Sequence, residues 1–172
     1  DETVVIDVNA IDNGIIAGGT QQVTAIILDD DAPPSVVLSI ATATVTEDDS
    51  DNALVTATLS VASAQEVRVS LTFEGTAAIS DYTSSSSSIV IAPGALFGSI
   101  DIDPTPDDLD ESDETVEISI SSVSNAKIGR SNGVMVTIAD DDALPTVSVS
   151  VDPTLAEASG VATVTAVLNV VS

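Results

Sequence analysis

The chain has no cysteine, no histidine and no tryptophan, and it carries one tyrosine and two phenylalanines. Without cysteine there are no disulfides, thiolate metal ligands or thiol redox chemistry. Without histidine the commonest transition-metal ligand and the usual general base are gone as well. Positive charge is nearly as scarce: Lys plus Arg number 3 against 28 Asp plus Glu, a formal net charge of −25 at pH 7. A surface of that sign repels nucleic acid and anionic membranes, so neither is expected as a partner, whereas cations are. No run of the sequence approaches the 18 or so apolar residues of a membrane-spanning helix, and no membrane insertion is expected.

These gaps also argue against catalysis. Nucleophilic mechanisms need a side chain beside a base, and the one lysine, Lys127, sits in what reads as a loop before residues 133–139. Paired carboxylates can cleave glycosides, but the chain has almost no aromatic surface on which a sugar would stack. No enzyme is expected.

What is abundant is aliphatic and β-branched. Hydrophobic residues make up 44% of the chain and aromatics 2%, so any core must be built from Val, Ile, Leu and Ala. Short segments at 36–45, 53–61, 66–73, 88–92, 97–102, 115–123 and 133–139 alternate with period two and are bounded by Asp, Ser, Gly and Pro. In residues 116–123, Val116, Ile118 and Ile120 fall on one face. About seven such strands, with no amphipathic helix, predict an all-β fold, an antiparallel sandwich of immunoglobulin-like type without its Cys and Trp markers.

The chain also repeats itself. Asp29-Asp30-Asp31 returns as Asp140-Asp141-Asp142, each triplet ending a strand-like run and followed by Ala and then proline. Residues 1–5 match residues 113–117 at an offset of 112, the triplets match at 111, and residues 55–61 match 164–170 at 109. A period of that length suits a whole domain in a tandem array. Residues 32–142 then form one complete repeat, 1–31 the back of a preceding one and 143–172 the front of the next. The partial repeats are expected to expose apolar edges.

Within the complete repeat, acid concentrates at residues 47–51, 81, 103–117 and 140–142. In order along the repeat stand VTEDD at 45–49, GTAAISDYTS at 75–84, IVIAPGALFGSIDI at 89–102, PDDLDESDETVEISIS at 106–121 and VTIADDD at 136–142. That order of features resembles the Calx-β family, known from sodium/calcium exchangers, an integrin subunit and many bacterial surface proteins. In calcium-binding members the acidic turn, the Asp before Tyr, the Asp-rich loop and the final triplet converge at one end of the sandwich. The resemblance therefore implies Glu47, Asp81, Asp107, Asp108, Glu111, Glu114, Asp140, Asp141 and Asp142 as candidate ligands. It implies Glu2, Asp29, Asp30, Asp31 and Glu157 for the partial repeats.

The chemistry agrees independently. Ca²⁺ is a hard cation that takes 6 to 8 oxygens, and clustered carboxylates supply them. Three consecutive Asp on extended backbone point alternately, so Asp140 and Asp142 share a face and Asp141 takes the other. Pro33, Pro34 and Pro145 read as stiff joints between repeats. The expected role is a calcium-binding structural repeat of a long extracellular or cell-surface bacterial protein, an adhesin stalk or filament whose junctions are made rigid by Ca²⁺. Its expected partners are neighbouring repeats or identical chains, and the sequence does not specify an adhesion ligand. A calcium sensor like the exchanger domains and a ligand-binding module bridged by Ca²⁺ are the alternatives.

Overall fold

In the computed structural model every regular element among the described residues is a strand. The structure describes residues 1–16, 18–19, 21–47, 51–151, 154–158 and 160–169. Asp48 and Asp49 of the acidic turn lie outside them. The chain divides into two units, Asp1–Ala32 and Pro33–Ser172.

The first unit is an antiparallel hairpin of β1 (Glu2–Asp7) and β2 (Gln22–Ile27), in register from Glu2 opposite Ile27 to Asp7 opposite Gln22. Every residue of both strands is exposed, including Val4, Val5, Ile6 and Val23. Its apolar side chains have no opposing sheet in this unit.

The second unit holds the sandwich. Its strands are β3 (Ser35–Ile40), β4 (Thr44–Thr46), β5 (Ala53–Leu59), β6 (Val67–Gly75), β7 (Tyr82–Ser84), β8 (Ser88–Ile91), β9 (Phe97–Pro104), β10 (Glu114–Val123), β11 (Lys127–Ile128) and β12 (Gly133–Ala139). One sheet runs β4-β12-β10-β6-β8 and the other β11-β3-β5-β9-β7. A separate hairpin, β13 (Val147–Val151) with β14 (Val164–Leu168), follows, and all its strand residues are exposed.

Period-two alternation builds the core. On β5, Ala53, Val55, Ala57 and Leu59 point inward, and on β10 Val116, Ile118 and Ile120 do the same from the facing sheet. The buried cluster is entirely Val, Ile, Leu and Ala, with Phe73 and Tyr82 packed against its margin. Burial of this kind stabilises by about 25 cal/mol per Å² of apolar surface.

The β-sandwich expectation holds, with refinements of detail. The segment 36–45 is two strands, not one: β3 pairs with β5 in one sheet, and β4 pairs with β12 in the other. A single strand cannot belong to both sheets, so the backbone breaks between Ile40 and Thr44 to cross over. The inward positions change phase across the break, from Val36 and Leu38 to Val45, but the Ala and Thr residues at 41–44 carry no strong apolar pattern to mark the change. Residues 82–84 and 127–128 are also strands, each too short to show periodicity, and Lys127 lies on β11 and not in a loop. Two pairings, β4 with β12 and β11 with β3, are parallel within the otherwise antiparallel sandwich.

Candidate metal centre

Three groups of residues deliver carboxylates to one end of the sandwich. The first is the exit of β4. There the Glu47 N–H donates to the Ala139 carbonyl at 3.1 Å, carrying the parallel β4–β12 pairing one residue further and setting Glu47 beside the strand that leads into the triplet. Glu47 is the one charged side chain buried among the described residues, at 6% exposure.

The second is the turn after β6. Gly75 has φ of 125°, and a Cβ there would overlap the Thr115 carbonyl oxygen, so a glycine is required for the chain to turn against β10. The N–H groups of Thr76 and Ala77 then donate to that oxygen at 3.0 and 3.1 Å, and the Thr115 N–H donates to Thr76 Oγ1 at 2.8 Å. The turn is closed by Asp81, whose Oδ2 accepts the Ala78 N–H at 2.6 Å and whose Oδ1 accepts the Ser80 hydroxyl at 2.8 Å. This lattice brings Asp81 beside Glu114, the first residue of β10.

The third is the Asp-rich loop together with the triplet after β12. Asp140 Oδ1 accepts the Glu111 N–H at 3.1 Å, and the Asp140 N–H donates to Asp113 Oδ1 at 3.3 Å. Asp107 folds its own loop by accepting the Leu109 N–H at 2.7 Å.

The result is a carboxylate nest. Oxygens of Glu47, Asp140 and Asp142 all lie within 4.8 Å of one another. Glu47, Asp81, Glu111, Ser112, Glu114, Ile138 and Asp140 line a small depression with a free volume of about 10 Å³. Asp107 stands close enough to act on Glu47 electrostatically. Of the nine ligands expected in the complete repeat, seven therefore meet at this end: Glu47, Asp81, Asp107, Glu111, Glu114, Asp140 and Asp142. Asp108 and Asp141 are exposed and do not line this depression.

In the partial repeats Glu2, Asp29, Asp30, Asp31 and Glu157 are all exposed. Glu2 opens β1, Asp29 accepts the Asp31 N–H at 3.2 Å, and Glu157 lies in a turn. No counterpart of Glu47, Asp81 or Glu111 accompanies Glu2 and Asp29–Asp31 within their unit. Ser112 and Asp113 are site neighbours that sequence reasoning did not single out. They sit in an irregular loop, where no periodicity reports side-chain direction.

The electrostatics follow from this crowding. Burial, then the charges of Asp107, Asp142, Glu111 and Asp140, push the Glu47 carboxyl from its ordinary 4.5 up to about 7. Burial also raises Glu114, with the neighbouring Asp81 and Glu111 adding to it. Asp81 moves the opposite way: burial acts to raise it, but the bonds from Ser80, Ala78 and Glu114 outweigh that and hold it below the usual carboxylate range. Of the two, Glu114 is thus the weaker acid. The sole ion pair among the described residues, Arg68 with Glu66 at 3.8 Å, involves none of these groups.

The donor set fits a hard divalent cation. Two oxygens held by one calcium at roughly 2.3–2.6 Å are at most about 5.2 Å apart, so the 4.8 Å spread of Glu47, Asp140 and Asp142 suits a single ion. There is no nitrogen or sulfur donor to favour a softer metal.

The fold is that of the Calx-β domains. The chain is similar to CBD12 from CALX1.2, with 21% identity and a TM-score of 0.53 over 61% of this chain and 45% of that one. It is also similar to the calcium binding domain CBD12 of CALX1.1, with 23% identity and a TM-score of 0.52 over 61% of this chain and 44% of that one. The match thus spans less than half the length of either. No family model and no curated protein matches the sequence.

Proposed function

We propose that this chain is a calcium-binding, non-catalytic repeat of a long extracellular or cell-surface protein, and that its carboxylate nest makes the junction with the following repeat rigid. The observation that carries the calcium reading is the meeting of Glu47, Asp140 and Asp142 oxygens within 4.8 Å, with Glu47 buried. Side chains gathered this closely repel one another, and the ion pair of Arg68 with Glu66 does not involve them. A bound Ca²⁺ supplies the missing positive charge. The chain's own part is to hold the donors in place: the β4–β12 pairing fixes Glu47, the glycine turn fixes Asp81, and the Glu111 N–H fixes Asp140.

The junctional role is supported by where the nest lies. Asp142 is followed within three residues by Pro145, so the donor segment is also the exit from the repeat. A proline there shortens the slack that the joint has. The extracellular setting is supported by the composition, with no cysteine and 3 basic residues against 28 acidic ones. Neighbouring repeats or identical chains are the proposed partners.

Calcium titration by calorimetry tests the site. Asp140→Asn and Asp142→Asn should each weaken binding by about tenfold or more, and Asp141→Asn should leave it nearly unchanged. Equal effects of all three, or no heat at millimolar calcium, would refute it. Small-angle scattering from a chain of several complete repeats tests the role: greater extension with calcium supports it, and unchanged dimensions count against it. Saturation at micromolar calcium would favour a sensor instead.

A further inference from the structure

Both repeats make the same bond at the start of the Asp triplet. In the sandwich the Asp140 N–H donates to Asp113 Oδ1 at 3.3 Å, and in the first hairpin the Asp29 N–H donates to Asp1 Oδ1 at 2.9 Å. The positions are equivalent. Asp113-Glu114-Thr115 repeats Asp1-Glu2-Thr3, and Glu114 faces Ile138 across β10 and β12 as Glu2 faces Ile27 across β1 and β2. In the hairpin the bond forms with no counterpart of Glu47, Asp81 or Glu111 in that unit. It is therefore a property of the strand pair and does not depend on the rest of the nest.

We propose that Asp113, and Asp1 in the preceding repeat, are positioning residues that clamp the first backbone N–H of the triplet and so fix the direction in which its side chains point. This rests on the calcium reading for its purpose. Asp113 is exposed and does not line the depression, so it differs from the donors themselves. The Asp113 side chain supplies an acceptor oxygen to the Asp140 N–H, a role that an amide oxygen at the same reach also fills. The bond is applied where it has most effect: on extended backbone the side chains alternate, so a twist at Asp140 swings Asp142 away from Glu47 as well. The clamp holds the triplet extended while its carboxylates repel one another and before any cation arrives.

The test compares Asp113→Asn, which keeps an acceptor oxygen but drops the charge, with Asp113→Ala, which removes both. Glu117→Gln, on the exposed face of β10, controls for the change in net charge. Amide hydrogen exchange in the metal-free full chain should show Asp140 N–H equally protected in wild type and Asp113→Asn, and exchanging about tenfold faster in Asp113→Ala. Calcium affinity should fall by about 10- to 100-fold in Asp113→Ala and stay near wild type in Asp113→Asn and Glu117→Gln. If Asp113→Asn loses as much as Asp113→Ala while Glu117→Gln does not, Asp113 holds the cation itself and the proposal fails. It fails too if Asp113→Ala changes neither exchange nor affinity. Should wild type take up no calcium, the calcium reading fails while the exchange result still decides the clamp. Should Asp113→Ala not fold, Asp1→Ala and Asp1→Asn, read at the Asp29 N–H, decide it.

Discussion

Glu47 is the residue on which the metal-free protein is most sensitive to pH. Its carboxyl ionises near 4.5 in the unfolded chain and near 7 in the fold. Between those values the folded state binds the extra proton, so stability falls as pH rises through the window and levels off above it. Denaturant unfolding of the metal-free chain at steps from pH 4.5 to 7.5 should show that decline, and Glu47→Gln should flatten most of it. Calcium affinity should run the other way and rise over the same window, because the proton on Glu47 must leave before it can hold a cation. At this scale much of the site could be read from sequence. Alternation continues past the end of β12, so it correctly put Asp140 and Asp142 on one face and Asp141 on the other. The Asp113 clamp could not be read, because a loop residue's partner is set by how the chain folds back and not by any period.

Among the elements, the turn after β6 shows how a local rule shapes a distant site. Gly75 allows the chain to cross the Thr115 carbonyl, and the bonds of Thr76 and Ala77 to Thr115 carry that crossing on to Asp81. Gly75→Ala should therefore cost about 2–3 kcal/mol of stability, as a strained positive-φ position does. It should also weaken calcium binding by displacing Asp81; thermal unfolding and calorimetry on the same sample check both. Long strands such as β5, β6 and β10 could be read from their alternating faces. The break between β3 and β4 could not, because residues 41–44, between the inward Leu38 and Val45, are only Ala and Thr and mark neither face. Three residues on β7 and two on β11 are below the length at which a period exists, and only their pairing partners define them as strands.

For the molecule as a whole, net charge and metal act against each other. A chain of net charge −25 gains little from its 3 basic residues, so bound cations would be its main source of compensation. Calcium at about 100 times its dissociation constant adds roughly 2.7 kcal/mol per site, which corresponds to a rise in melting temperature of about 10 °C for a domain of this size. Calorimetric melting with and without calcium measures it, and magnesium at equal ionic strength separates site binding from screening.

The parallel pairing of β4 with β12 has a mechanical consequence. The two strands belong to opposite ends of the repeat's sequence yet run the same way, so a pull on the repeat's two ends slides one along the other and loads Thr44–Thr137, Val45–Ile138 and Thr46–Ala139 together. Shear of this kind must break its hydrogen bonds at once, where peeling an antiparallel edge would break them singly. Glu47 and Asp140 lie at the tip of that same pair, so a cation held between them is a rivet across the sliding surface. Unfolding force in optical tweezers should therefore rise when calcium is added and drop back when it is chelated.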